Sequence, residues 1–139
     1  MLLAQRTAII TGAASPRGLG LATAKLFAEH GARVMITDLD ATAAAQAIAA
    51  LPGSGHLSAR CNVTDKAECM ASVQSALKVW GQVDILVNIA GITSPQRIMD
   101  VDPETYTRVM DINMRGTLYM TQAVVPHMRE RRQGSIVNM

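Results

Sequence analysis

The 139-residue chain is long enough for one domain with a core and too short for two ordinary ones. Its residues are 49% hydrophobic but only 3% aromatic, so the core must be aliphatic, built from Ala, Val, Ile, Leu and nine Met. A net charge of +2 with interspersed signs gives no basic face for nucleic acid, and the cationic run Arg129 to Arg132 is interrupted by Glu130, which reads as a solvated helix end.

The chain opens with a strand-like run, Arg6 to Ile10, and then Thr11-Gly12-Ala13-Ala14-Ser15-Pro16-Arg17-Gly18-Leu19-Gly20. Glycines let a backbone pass close to a ligand, and a following helix offers unpaired N–H groups and partial positive charge to an anion. The stretch therefore reads as a phosphate-holding turn; the alternative is a glycine turn that serves packing alone. The following helix places Leu19, Ala22, Leu26 and Phe27 on one apolar stripe and stops at Gly31. A second strand, Arg33 to Thr37, ends in Asp38, near the roughly 20-residue spacing at which an acidic side chain meets an adenosine ribose. Asp40 is placed to cap an alanine-rich helix that Pro52-Gly53 ends.

A third strand is expected from His56 to Val63, then a helix from Thr64-Asp65 that puts Met70, Val73, Leu77 and Trp80 on one face. Val83 to Ile89 reads as a central strand buried on both faces. After the loop Ile92 to Pro95, one long helix is expected from about Pro103 to Arg131, with Pro126 kinking or shortening its last turns. Gly134 to Met139 looks like a fifth strand. Strands alternating with helices give an α/β fold, a doubly wound parallel sheet.

Neither Cys61 nor Cys69 has a metal or redox spacing, so two reduced, half-buried thiols are expected. His30, His56 and His127 share no ligand spacing, and no metal is expected. No secretory leader or membrane-length apolar run is visible, which makes a cytoplasmic, non-membrane protein the default expectation.

Four signatures, in order, resemble the N-terminal half of the short-chain dehydrogenase/reductase family. Thr11-Gly12 with Gly18-Leu19-Gly20 is similar to the family's coenzyme loop, and Asp38 stands at its ribose position. Cys61-Asn62-Val63-Thr64-Asp65 looks like the segment that flanks the adenine. Asn88-Ile89-Ala90-Gly91 looks like the Asn-Asn-Ala-Gly signature. Asp111-Ile112-Asn113-Met114-Arg115-Gly116 matches the Asn-x-x-Gly segment, whose Asn belongs to the catalytic tetrad.

The resemblance implies a Rossmann-type sheet in the order 3-2-1-4-5, incomplete after its fifth strand. It also implies an NAD-dependent oxidoreductase that moves hydride between nicotinamide and a small alcohol or ketone. A 3-oxoacyl-thioester reductase and a sugar or polyol dehydrogenase both fit. Coenzyme contacts are then expected from Gly12, Ser15, Arg17, Gly18, Leu19, Gly20, Asp38, Asn62, Val63, Asn88, Ala90 and Gly91, with Asn62 accepting from the adenine amine through its amide oxygen. Asp38 favours NAD, whereas Arg17 stands where NADP users often carry a basic residue. Asn113 either holds a water in the proton relay or stabilises a helix bend.

The sequence departs from the family in its turn, with five residues, Ala13 to Arg17, between the first two glycines where three are usual. That spacing resembles the divergent enoyl-acyl-carrier-protein reductases of the superfamily, an alternative. The family's Ser and Tyr-x-x-x-Lys pair lie beyond Met139, and neither Tyr106 nor Tyr119 has Lys four residues on. The chain alone is therefore expected to be inactive, and a non-catalytic nucleotide-binding module is the other alternative. The family's helix pairing between subunits implies a homo-oligomer through the Pro103 to Arg131 helix.

Overall fold

A computed structural model describes residues 1–139. Five parallel strands form one sheet in the order β3-β2-β1-β4-β5. They are β1 (Thr7–Thr11), β2 (Arg33–Asp38), β3 (Leu57–Arg60), β4 (Ile85–Asn88) and β5 (Ser135–Asn138). The sheet order and the α/β architecture are those the sequence implied.

All five β1 residues are buried, because the strand lies mid-sheet with helices on both faces. Strand alternation sends Ile9 to one core and Ile10 to the other. The Ile10 face packs on α1 (Leu19–Glu29) and α2 (Ala41–Ala49); the Ile9 face packs on α3 (Lys66–Trp80) and α5 (Gly116–Arg131). Full burial of such an aliphatic side chain is worth about 1.5–3 kcal/mol.

Two helix faces differ from the apolar stripes read in the sequence. In α1 the buried residues are Gly20, Leu21, Ala24 and Ala28, while Leu19 and Leu26 are exposed. In α3 they are Cys69, Ser72, Val73, Ala76 and Trp80, with Met70 exposed. Small residues let a helix approach the sheet closely, so they occupy the contact line and displace larger apolar ones from it. Trp80 packs in the core, as expected, and its indole N–H donates to the Gly55 carbonyl at 3.0 Å.

The long helix is divided. α4 (Pro103–Met110) passes through a π-helical turn, Asp111–Arg115, into α5, which runs through Pro126 to Arg131 without ending early. β3 also stops at Arg60 rather than Val63, so residues 61–65 leave the sheet and lead to the Asp65 cap of α3. Asp40 caps α2 as expected, its Oδ1 accepting from the Ala43 N–H at 2.9 Å.

The Arg129 to Arg132 run is not wholly solvated. Arg131 reaches under the sheet, where its guanidinium donates to Asp84 Oδ1 at 3.0 Å and to the Val83 carbonyl at 3.3 Å. Asp84 is 3% exposed and also accepts from the Thr7 N–H at 3.0 Å, so it joins the starts of β1 and β4 to the end of α5. Both cysteines are fully buried rather than half-buried. No helix is long and apolar enough to cross a membrane.

Candidate functional site: a cleft at the strand C-termini

β1 is flanked by β2 on one side and β4 on the other, so the connections after β1 and β4 leave toward opposite faces and open a crevice at their C-terminal ends. Thr11 fixes its floor. The buried Thr11 Oγ1 accepts from the N–H groups of Ile89 and Ala90, both at 3.1 Å. Gly12 then turns the chain at φ +63°, where a Cβ would stand 2.6 Å from Ala90 Cα, so only glycine lets the two loops meet.

The crevice is a cleft of about 370 Å³ that brings together Gly12, Asp38, Asn62, Val63, Ala90 and Gly91, all named from the sequence. Leu39, Cys61, Thr64 and Ile112 also line it; Cys61 and Thr64 lie in the segment read as flanking the adenine, but none of the four was named as a coenzyme contact. Their signal was adjacency alone: each sits within one residue of a flagged position.

Ser15, Arg17, Gly18 and Leu19 are not among its wall residues; they form the turn that leads into α1. Ser15 and Arg17 are exposed, and Arg17 enters none of the four ion pairs. Gly20 is buried, and a Cβ there would come within 2.6 Å of Ala13 Cα, so its place is to seat α1 against the turn.

The N-terminus of α1 differs from those of its neighbours. Asp40, Asp65 and Asp102 accept backbone N–H groups at the starts of α2, α3 and α4. α1 begins at Gly18 with no side-chain cap and no acidic residue in its first turn. Its first N–H groups and the positive end of its dipole are left for an anion or water.

Asp38 is half-buried at the end of β2. Its Oδ2 accepts from the Ala14 N–H at 3.1 Å and its Oδ1 from the Asp40 N–H at 3.3 Å. Each carboxylate oxygen keeps accepting capacity beyond these bonds.

Asn62 departs from the role read for it. Its Oδ1 accepts from the Thr64 N–H at 3.0 Å and the Thr64 hydroxyl at 2.8 Å, which uses both lone pairs. The free polar group is the Nδ2 amide, a donor, because residues 62–65 fold into a side-chain-closed turn. Its backbone N–H donates to Glu68 Oε2 at 2.8 Å, and this bond, together with the ion pair to Arg60, holds the Glu68 carboxyl below its usual range.

Asn88 and Asn113 stand behind the cleft. Asn88 is buried and its Nδ2 donates to Asn138 Oδ1 at 2.9 Å, joining β4 to β5, while its own Oδ1 has no partner. Asn113, in the π turn, accepts from the Ile92 N–H at 2.8 Å and donates to the Ile92 carbonyl at 2.9 Å. It clamps the loop after β4, a contact that neither reading from sequence named.

A glycine turn, an uncapped helix start and an acidic strand end at the C-terminal edge of one parallel sheet belong to an α/β fold of the Rossmann type. The chain matches the model of the short chain dehydrogenase family over residues 6–139 and belongs to that family. It is 44% identical over 142 aligned residues to an uncharacterised short-chain type dehydrogenase/reductase of Sinorhizobium fredii, covering all of this chain and 56% of that one. It is 41% identical to galactitol 2-dehydrogenase of Agrobacterium fabrum, covering all of this chain and 54% of that one. It superposes on the crystal structure of gox2181 with a TM-score of 0.91 at 38% identity, over 99% of this chain and 54% of that one. The chain spans about half the length of the curated relatives it matches.

Proposed function

We propose that residues 1–139 form the coenzyme-binding half of an NAD-dependent oxidoreductase that interconverts a small secondary alcohol and its ketone. The observation that carries this reading is the uncapped N-terminus of α1, which Gly20 seats against Ala13 in the turn that Asp38 anchors through the Ala14 N–H. The residues present fit a dinucleotide: the backbone N–H groups of Leu19 and Gly20 offer donors to its diphosphate, Asp38 offers acceptors to the adenosine ribose, and Asn62 and Val63 wall the base. When bound, nicotinamide supplies a hydride acceptor or donor. This chain's residues bind and orient it, Gly12, Ala90 and Gly91 allowing close approach and Asn113 holding the loop that follows.

Proton exchange with the substrate oxygen calls for a phenol whose pKa a nearby ammonium lowers. Residues 1–139 hold no Tyr-x-x-x-Lys pair. The 139-residue chain alone is therefore expected to bind coenzyme without turning over substrate, which also keeps a binding-only module as the second reading. A polyol or related hydroxy substrate is favoured by the likeness to galactitol 2-dehydrogenase. Exposed Tyr106, Met110, Met114 and Leu118 along α4 and the start of α5 favour pairing with a second copy.

Calorimetric titration of the chain with ADP-ribose tests the binding reading. Saturable binding that Gly12→Val removes, with folding retained by circular dichroism, supports it. Absence of binding by the folded chain overturns it.

A further inference from the structure

Asp65 and Glu68 begin α3 at the spacing of a capping box, in which the glutamate reaches back to the N–H of the capping residue itself. Here that bond is made elsewhere. Asp65 caps the helix, its Oδ1 accepting from the N–H groups of Ala67 at 2.8 Å and Glu68 at 3.1 Å, but its own N–H donates to the Asn62 carbonyl at 2.9 Å. Glu68 reaches past it, and its Oε2 accepts from the Asn62 N–H at 2.8 Å.

The reason lies in where the sheet stops. Cys61, just after β3, makes the last bond to the neighbouring strand, its N–H donating to the Asp38 carbonyl at 2.9 Å. At Asn62 the backbone leaves the sheet, so its N–H has no ladder partner, and Glu68 supplies the acceptor. The same carboxylate accepts from Arg60 Nη1 with both oxygens, at 2.7 Å and 2.6 Å. One side chain thus joins the end of β3, the turn that lines the cleft and the first turn of α3. On its other side the turn meets α5, where a Cβ on Gly116 would come within 2.6 Å of Val63 Cγ2.

We propose that Glu68 is a positioning residue for the adenine end of the coenzyme, setting the wall of Asn62, Val63 and Thr64 from outside the cleft. The inference rests on the coenzyme reading above, since Glu68 itself does not line the cleft. Its ion pair with Arg60 is too exposed to add much to folding. The part-buried Asn62 N–H, by contrast, has no other acceptor in the structure. Without Glu68 the turn keeps its internal bonds, from Thr64 to Asn62 Oδ1 and from Asp65 to the Asn62 carbonyl, so it shifts as a unit rather than unfolding. Val63 is then held only from the α5 side.

The test compares the unaltered chain with Glu68→Ala and Glu68→Gln, using calorimetric titration with ADP-ribose and NMR titration with pyrophosphate, which probes the α1 turn without the base. Glu68→Ala is expected to weaken ADP-ribose binding about tenfold, the scale of one hydrogen bond to a charged group, and to leave the pyrophosphate response unchanged. Glu68→Gln keeps a side-chain oxygen for the Asn62 N–H and should restore most of the affinity. Hydrogen exchange at the Asn62 amide should quicken in Glu68→Ala and not in Glu68→Gln. If Glu68→Ala fails to fold by circular dichroism, Arg60→Ala, which leaves the backbone bonds of the turn intact, takes its place, with a smaller loss again confined to ADP-ribose. Undiminished ADP-ribose binding by the folded variant, an equal loss of pyrophosphate binding, or a Glu68→Gln chain no better than Glu68→Ala overturns this inference and leaves the coenzyme reading standing. Absence of ADP-ribose binding by the unaltered chain overturns the coenzyme reading, and this inference with it.

Discussion

The Asp38 carboxylate accepts the backbone N–H of Ala14 at 3.1 Å across 24 residues, so the group read as the ribose acceptor also anchors the glycine turn. Two consequences of substitution can therefore be separated. Asp38→Asn keeps an oxygen for Ala14 but loses the charge. It is expected to leave thermal stability nearly unchanged while narrowing the preference for NAD over NADP by about tenfold, the equivalent of one charge-assisted bond of about 1.5 kcal/mol. Asp38→Ala leaves the Ala14 N–H without its partner and should lower stability as well. Paired thermal melts and coenzyme titrations of both variants check this.

Asp84 and Arg131 should matter to folding rather than to binding. Breaking a buried pair by removing one partner costs about 3–5 kcal/mol, so Arg131→Met should lower the urea midpoint markedly. Burial pushes the Asp84 carboxyl up, but hydrogen bonds from Thr7 and Arg131 and the charge of Arg131 outweigh it, and the carboxyl is held below its ordinary value. The unfolded carboxyl, at about 3.9, then takes up its proton first as pH falls. The stability from Asp84 is fully present above that value and is lost as pH drops toward the lower folded one. Urea unfolding from pH 7 to pH 3 should show this loss in the unaltered chain and a shallower one in Asp84→Asn.

Much of this fold was legible because its elements carry local signals. The strand order follows from alternation with helices, and the Gly12 turn and the Asp40 cap are written in adjacent residues. The helix faces were not, because Ala24, Ala28 and Ala76 bury by closeness while Leu26 and Met70 stay out. Nor was the Arg131 contact, which joins residues 47 apart. Six of the twelve coenzyme residues named from sequence line the cleft, and the others lie in the turn or support it from behind. The π turn left no periodic signature, since one extra residue per turn over five residues barely shifts an apolar pattern.

Asn62→Asp is expected to tighten adenosine binding. The Asp variant keeps one oxygen for Thr64 and turns a second toward the cleft where Asn62 now presents a donor. A hydrogen bond to a charged acceptor is worth about 1.5–3 kcal/mol, so affinity for ADP-ribose should rise about tenfold or more. Calorimetry on both chains gives the ratio directly.

Asn113→Ala should destabilise the folded chain even with no substrate present. It removes both bonds to Ile92 and leaves part-buried backbone groups unpaired, a loss of about 1–3 kcal/mol. Urea unfolding measures it, and hydrogen exchange should show the Ile92 amide opening first.

We propose that the cleft between β1, β2 and β4 holds an adenosine dinucleotide whose ribose meets Asp38. Titration of the chain with NAD and with NADP under one set of conditions tests it most directly. A 2′-phosphate carrying about −1.5 to −2 charge would meet the Asp38 carboxylate with repulsion. The expected result is saturable NAD binding at least tenfold tighter than that of NADP. Equal or tighter NADP binding, or no binding of either, would contradict it.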